Sequence, residues 1–160
     1  MLLYHGSNVV VRTPRILTPS RALDFGPGFY TTSSMQQAER WSVLTTRRRR
    51  EGSPIVTTFS LDDDLLDLDV LTFESATEDW LVFVSQNRKN AYRGPRHDIV
   101  AGPVANDRTM AVIGSYMAGE IDAQTALVLL LPQKLDDQYA FLSHRALQRL
   151  TFEGVASVES

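Results

Sequence analysis

The sequence predicts a single α+β domain over residues 1–160, with a mixed, mostly antiparallel sheet and helices at its sides. Two observations give the fold class: the predicted strands are short and unevenly spaced, and strands and helices do not alternate regularly. No internal repeat is visible either. No linker divides the 160 residues, and a chain of this length buries about 70% of its unfolded surface, which suffices for one core.

The first part of the chain contains three predicted strands and one long loop. Strands are expected over residues 2–5, 29–32 and 55–59, where short runs of β-favouring residues are bounded by glycine or proline. The segment 8–28 is rich in proline and glycine and is expected to be a loop, with residues 9–11 extended.

One helix is predicted between the second and third strands. Ser33 or Ser34 caps its start, and Gln37 is the capping-box partner of Ser34. It is expected to end within the four arginines at 47–50, since cations interact favourably with a helix C-terminus. The apolar residues that recur at helical spacing are Met35, Ala38, Trp41 and Leu44.

The rest of the chain mixes helices and strands. In order we expect an acidic loop over 60–70, a helix opened by a capping box of Ser75 and Glu78, a strand over 98–101, helices over 107–117 and 122–131, a strand over 139–142, a short helix over 143–148 and a strand over 150–152.

Composition excludes several classes of protein. With no cysteine, the chain has no disulfide framework, no cysteine-ligated zinc site and no thiol nucleophile. A hydrophobic content of 43% and a net charge of -3 exclude a disordered chain and argue against a dedicated nucleic-acid binder. No apolar run approaches the ~20 residues of a membrane span, and no secretory signal is recognisable, so a cytoplasmic protein is expected.

Familiar catalytic motifs are missing from the sequence. There is no phosphate-binding lysine loop, no dinucleotide-binding glycine motif and no nucleophile elbow. The three histidines, His5, His97 and His144, lack the spacing of metal ligands, so no metal site is expected.

Two segments have features that packing alone does not require. Residues 4–7 read Tyr-His-Gly-Ser at the end of a predicted strand. Residues 24–32 place two glycines around a proline, lead into an aromatic strand and precede the helix that carries Ala38 and Trp41. Such a loop allows close approach of backbone to a ligand.

Both segments together resemble the ADP-ribosyltransferase superfamily, in the diphtheria-toxin-like branch that includes the poly-ADP-ribose polymerases. The sequence is also similar to a bacterial family of small stand-alone domains of unknown function with that fold, and segments 98–107 and 137–139 share in this similarity. The resemblance implies a split sheet with flanking helices. It also implies an NAD-dependent bacterial toxin that transfers ADP-ribose to a macromolecule or nucleotide, with an antitoxin protein as partner.

The resemblance also implies residue roles in breaking the nicotinamide–ribose bond of NAD. It places His5 against a ribose hydroxyl, the Gly6 backbone against the nicotinamide amide, and Tyr30 on the nicotinamide ring. Among the loop arginines 12, 15 and 21, we expect Arg21 at the pyrophosphate. The other residues expected to bind NAD are Ser7, Gly28 and Phe29.

One position departs from the superfamily. Its usual glutamate, which stabilises the cationic transition state, falls at Gln138 in this sequence. An amide accepts a hydrogen bond but carries no charge, so weaker activity is expected. If the register differs, the carboxylate is Asp136, Asp137 or Glu153.

Simpler interpretations stand beside these roles. The departure at Gln138 leaves open a degenerate domain that binds NAD or ADP-ribose without turnover, or an interaction module. Trp41 and Trp80 are interpreted as packing residues, and the arginines at 47–50 as a solvated helix end.

Overall fold

Two β-sheets and five helices form the part of the chain that the computed structural model describes, residues 1–17 and 21–159. The strands are β1 (Leu2–Ser7), β2 (Phe29–Thr31), β3 (Ile55–Leu61), β4 (Val70–Thr72), β5 (Ile99–Pro103), β6 (Asp137–Phe141) and β7 (Leu150–Ser157). The helices are α1 (Met35–Arg49), α2 (Glu78–Arg88), α3 (Asp107–Met117), α4 (Ala123–Leu130) and α5 (His144–Leu147).

The pairing of the strands confirms a mixed, mostly antiparallel α+β architecture. One sheet has the order β1-β3-β7 and is antiparallel throughout. The other has the order β2-β6-β5-β4, and within it only β4 and β5 run parallel. Two backbone hydrogen bonds of 2.8 and 2.9 Å between Tyr4 and Thr32 join β1 to the end of β2. This junction brings the two sequence segments of interest side by side.

Two clusters of buried side chains form the core. The first lies between the second sheet and helices α2, α3 and α4, and its largest member is the fully buried Trp80. The second centres on Phe59 of β3 and Phe141 of β6. Among the described residues, no helix has the length and hydropathy needed to cross a membrane.

Helix α1 begins at the predicted cap, Ser34, but the predicted capping box is wrong. The Ser34 hydroxyl accepts a hydrogen bond from the Gln37 amide at 3.2 Å and caps the helix. The Ser34 amide donates to the Thr32 hydroxyl at 3.0 Å, and the Gln37 side-chain oxygen accepts from Arg40 at 2.9 Å instead.

The helix also buries a different face from the predicted one. Its buried residues are Gln37, Ala38 and Ser42, whereas Leu44 is 52% exposed. Of the predicted apolar stripe only Ala38 is fully buried, where the backbone of the helix passes directly over Gly6 of β1.

Other differences from the predictions have local causes. Helix α2 is capped by Thr77, whose hydroxyl accepts from the Trp80 amide at 3.4 Å, so the predicted cap at Ser75 is wrong. Strand β4 was not predicted, because three residues are too few to show a period. The predicted acidic loop is shorter, since β3 continues to Leu61 and β4 begins at Val70.

Strand ends account for the remaining differences. Strand β6 begins at Asp137 rather than at residue 139, and β7 continues to Ser157. Within the predicted loop 8–28, residues 9–11 belong to no strand, and residues 18–20 lie outside the described part of the chain.

Candidate functional site

A cleft of about 920 Å³ lies at the junction of β1 and β2, beside α1. This volume is within the range of ligand-binding clefts in proteins. All eight residues that the sequence points to line it: His5, Gly6, Ser7, Arg21, Gly28, Phe29, Tyr30 and Gln138. The fold therefore brings together residues that are up to 133 positions apart, from His5 to Gln138.

His5 is a neutral imidazole on the wall of the cleft. Its ring stacks on Phe29, with ring centroids 4.2 Å apart. Its Nδ1 lies 2.7 Å from the Tyr30 carbonyl oxygen, and because a carbonyl only accepts, Nδ1 carries the proton. Burial lowers the His5 pKa from 6.5 to about 4; the Tyr30 hydrogen bond opposes this shift and the charge of Arg49 adds to it. The neutral ring therefore keeps Nε2 as a hydrogen-bond acceptor.

Gly6 allows β1 to lie against α1. A Cβ atom at this position would be 2.0 Å from the Ala38 carbonyl oxygen and 2.8 Å from the Ser42 amide nitrogen. Both distances are far below van der Waals contact, so any side chain at residue 6 would push the helix away from the strand. The glycine is thus required by packing, in addition to any contact of its backbone with a ligand.

The Tyr30 hydroxyl closes the glycine-containing loop that precedes β2. It donates to the Gly26 carbonyl oxygen at 2.6 Å and accepts from the Phe25 amide at 2.9 Å. Burial, with the charge of Asp24, raises the Tyr30 pKa well above its usual range. The ring stacks on Phe25, with ring centroids 6.4 Å apart. Because the hydroxyl is protonated and occupied, Tyr30 can contact a ligand only through its ring.

Gln138 lies on β6 with only 3% of its surface exposed. Its amide nitrogen donates to Asp24 Oδ2 at 2.8 Å and to the Pro103 carbonyl oxygen at 3.2 Å. Asp24 is itself buried and forms an ion pair with Arg88 at 2.5 Å. Sequence reasoning assigned Asp24 and Arg88 no role, although both line the cleft.

The three carboxylates considered as alternatives to Gln138 are engaged elsewhere. Asp136 lines the cleft but pairs with Arg40 at 2.6 Å. Asp137 accepts from the Ser33 amide at 2.8 Å and supports the turn into α1. Glu153 accepts from the Ser60 hydroxyl at 2.7 Å, away from the residues that line the cleft. Among the described carboxylates, only Asp24 contacts Gln138.

One part of the cleft wall is strongly electropositive. It is lined by eight of the chain's 16 basic residues and by three acidic ones, although the chain as a whole carries a net charge of -3. The basic residues are Arg12, Arg15, Arg21, Arg40, Arg48, Arg49, Arg88 and Lys134. Burial and repulsion from Arg48 and Arg88 lower the Arg21 pKa, with Asp24 acting in the opposite direction. Such a concentration of positive charge favours an anionic ligand.

Two predictions about packing residues have different outcomes. Trp80 is fully buried, as expected. Trp41 is only partly buried and lines the cleft, as do Arg48 and Arg49 of the predicted solvated helix end. Helical periodicity alone could not show this, because a residue facing a cleft and a residue facing the core have the same spacing.

Comparison with known proteins identifies the family without identifying an activity. The family model "Protein of unknown function (DUF3990)" matches residues 1–152, so the chain belongs to this family. No curated protein matches the chain.

Proposed function

We propose that this member of the DUF3990 family is an NAD-dependent ADP-ribosyltransferase. In the proposed reaction the bond between nicotinamide and ribose breaks, nicotinamide leaves with the bonding electrons, and a nucleophile of a macromolecule or nucleotide attacks the ribose and loses its proton. The observation that carries the proposal is the meeting of the seven expected NAD-binding residues and Gln138 in one cleft of about 920 Å³.

His5 and Tyr30 are suited to hold the nicotinamide riboside half of NAD. The Nε2 of His5 can accept a hydrogen bond from a ribose hydroxyl, since Nδ1 is used by the Tyr30 carbonyl. Tyr30 can stack its ring on nicotinamide, while its hydroxyl keeps the loop in shape. Neither residue needs to exchange a proton, and their contribution is to orient the substrate.

The basic wall is suited to the pyrophosphate of NAD. Arg21 was the expected contact, and its position beside Arg48 and Arg88 supports this role. Guanidinium groups bind phosphate oxygens with two parallel hydrogen bonds. Arg12 is less available, because its guanidinium lies 4.6 Å from the centre of the Phe152 ring.

The proposal includes a biological setting. Small stand-alone domains that resemble this one suggest a bacterial toxin that acts in the cytoplasm and is neutralised by an antitoxin protein. Expression should then arrest growth, and His5→Ala should relieve the arrest.

A second function is favoured by Gln138. A neutral amide lacks the charge that stabilises a cationic transition state. The alternative is therefore a domain that binds NAD or ADP-ribose without turning it over.

Labelled NAD distinguishes the two functions. The purified protein is incubated with cell lysate and NAD labelled in its adenylate half, and thermal stability is measured with and without NAD. Transfer of label that is lost in His5→Ala and Tyr30→Ala, and retained in His144→Ala, supports the transferase; His144 is an exposed histidine outside the cleft.

The other outcomes are equally informative. Stabilisation by NAD without transfer of label supports the binding domain. Absence of both transfer and stabilisation contradicts both functions and leaves an interaction module.

A further inference from the structure

The amide group of Gln138 has one favourable orientation. Its Nε2 lies 2.8 Å from Asp24 Oδ2 and 3.2 Å from the Pro103 carbonyl oxygen. Both partners are acceptors, so each takes one of the two N–H groups of the amide. Rotating the amide by 180° would place its oxygen against two other oxygens. The positions of nitrogen and oxygen are therefore fixed by the fold.

The oxygen of this amide is available to a ligand. Oε1 receives no hydrogen bond from the residues that the structure describes, and Ser85 Oγ is the one side-chain polar atom among them that is fully buried without a partner. Oε1 is therefore not sealed in the core. Because Gln138 lines the cleft, this oxygen is the acceptor that its side chain can offer to a ligand there.

Asp24 is held in place by two groups besides Gln138. Arg88, the last residue of α2, donates from Nε at 2.8 Å and pairs through Nη2 at 2.5 Å with Asp24 Oδ1. The Ala105 amide donates to Oδ2 at 3.1 Å. Asp24 is only 5% exposed, and its two oxygens receive hydrogen bonds from three parts of the chain.

We propose that Asp24 is a positioning residue that holds Gln138 as an uncharged acceptor toward the ribose of NAD, in a pocket that admits an amide and rejects an ionised carboxylate. The role toward ribose rests on the proposed function. The fixed amide and the rejection of a negative charge are properties of the fold, and they can be tested without NAD. This explains why the position holds glutamine although the superfamily pattern has glutamate.

The substitution Gln138→Glu tests the pocket directly. An ionised carboxylate would place an oxygen against Asp24 Oδ2 and the Pro103 carbonyl oxygen, with no hydrogen between them. A protonated carboxyl group has one O–H donor and reproduces the bond to Asp24. The introduced group should therefore have a raised pKa.

Other charges around the cleft do not change this expectation. The charged residues in question, all of which line the cleft, are Asp24 with Arg88, Asp136 with Arg40, Arg21, Asp107 and Lys134. Among these, only Asp24 is within hydrogen-bond distance of the Gln138 side chain. Arg40 is already paired with Asp136 and Arg88 with Asp24 Oδ1, so the direct contact with Asp24 Oδ2 dominates.

Chemical denaturation between pH 4.5 and 8 measures this effect. A carboxyl group whose pKa is raised by folding makes its full contribution to the free energy of unfolding below its unfolded pKa of about 4.3. That contribution is lost as the pH rises. Gln138→Glu should thus match the wild-type unfolding midpoint near pH 4.5 and fall progressively below it toward pH 8.

Gln37→Glu is the matched control. Gln37 lines the same cleft and is 7% exposed, but its Oε1 accepts from Arg40 at 2.9 Å. A carboxylate at residue 37 can form an ion pair with Arg40, so the unfolding midpoint of this variant should not fall relative to wild type as the pH rises. Equal pH dependence of the two variants, or a Gln138→Glu curve parallel to wild type, overturns the inference.

Turnover of NAD tests the positioning role. In Asp24→Asn the amide at residue 24 can donate toward Gln138, so the orientation of Gln138 is no longer fixed. We expect a fall in kcat of roughly tenfold or more with a smaller change in KM.

Failure of this inference differs from failure of the proposed function. A wild-type protein that neither binds nor cleaves NAD contradicts the function, whereas the denaturation experiment still tests the pocket. A wild type that turns over NAD, with Asp24→Asn unchanged in kcat, overturns the positioning role alone.

Discussion

At the scale of single residues, Gly6 is the point where strand, helix and cleft meet. Its neighbour His5 faces the cleft, and the backbone of α1 passes directly over the glycine. The close contact between Gly6 and the backbone of α1 therefore helps to set where β1 holds His5 in the cleft. A substitution at Gly6 tests whether this close packing is essential.

We expect Gly6→Ala to destabilise the protein by at least about 2 kcal/mol, since the new methyl group would overlap backbone atoms that can move only with the whole helix. Binding of NAD should be lost in the same variant. Gly114→Ala is the control: apart from its chain neighbours and the backbone of its own helix, no described residue lies within 4 Å of a Cβ there. Alanine is favoured over glycine inside a helix by about 0.5–1 kcal/mol. Equal denaturation midpoints for the two variants would contradict the packing role.

Residues of the site differ in how well sequence could predict them. His5, Gly6 and Tyr30 belong to short motifs, so local pattern and family resemblance were enough to select them. The contact between Asp24 and Gln138 joins positions 114 apart, and it exists because Gln138 pairs with Gly102 in the register of β5 and β6. Asp24 opens the segment 24–32 that the sequence singles out, but no local pattern contains that register, so its contact with Gln138 could not be predicted.

At the scale of secondary-structure elements, α1 links the core to the electropositive wall. Its first half packs against β1 through Ala38, and its last turn carries a run of arginines. Arg48 and Arg49 line the cleft, whereas Arg47 and Arg50 do not. The end of α1 therefore carries arginines of equal charge, of which two line the cleft and two do not.

We expect Arg48→Gln to weaken NAD binding on the order of fivefold and Arg47→Gln to leave it unchanged, since of these two residues only Arg48 lines the cleft and interacts with Arg21. Both side chains are exposed, so the difference should shrink when salt is raised. Titration calorimetry with NAD at two ionic strengths measures the difference in affinity between the two variants. Equal losses for the two variants would assign the effect to net charge and not to position.

Helix starts show a limit of reading elements from sequence. At α1 the sequence allows either Ser33 or Ser34 as the cap, and the hydrogen bond from the Gln37 amide to the Ser34 hydroxyl shows that it is Ser34. At α2 both Ser75 and Thr77 precede the helix, and the residue types do not distinguish them. Packing of Trp80 in the core sets where the helix begins, and therefore which hydroxyl caps it.

At the scale of the whole molecule, two residues with shifted pKa values, His5 and Asp98, make stability depend on pH in acid. His5 has a pKa lowered to about 4. Asp98, at the start of β5, accepts from Arg145 at 2.6 and 2.9 Å, from Ser143 at 2.5 Å and from the Asp69 amide at 2.8 Å. These bonds, those of Arg145 first, hold the Asp98 pKa well below its usual range despite burial.

The sign of each effect follows from the direction of the shift. The unfolded state takes up a proton at histidine below pH 6.5 while folded His5 stays neutral, so stability falls between pH 6.5 and about 4. The carboxylate of Asp98 stabilises the fold above pH 3.8, and that contribution is lost as pH falls further. The His5 effect therefore falls between pH 6.5 and about 4 and the Asp98 effect below pH 3.8, so the two can be measured separately.

The wild type should lose about 3 kcal/mol of its free energy of unfolding between pH 6.5 and 4, and His5→Gln should remove this loss. The glutamine amide can still donate to the Tyr30 carbonyl but does not titrate.

Asp98→Asn should be less stable than wild type at pH 7, with the difference in free energy of unfolding shrinking below pH 3.8. The residues share no hydrogen-bond partner among those described, so the double variant should show the sum of both effects. Denaturation curves from pH 7.5 to 2.5 measure all three variants. A wild-type curve that stays flat down to pH 4 would contradict the neutral state of His5 and, with it, the role of Nε2 as an acceptor in the cleft.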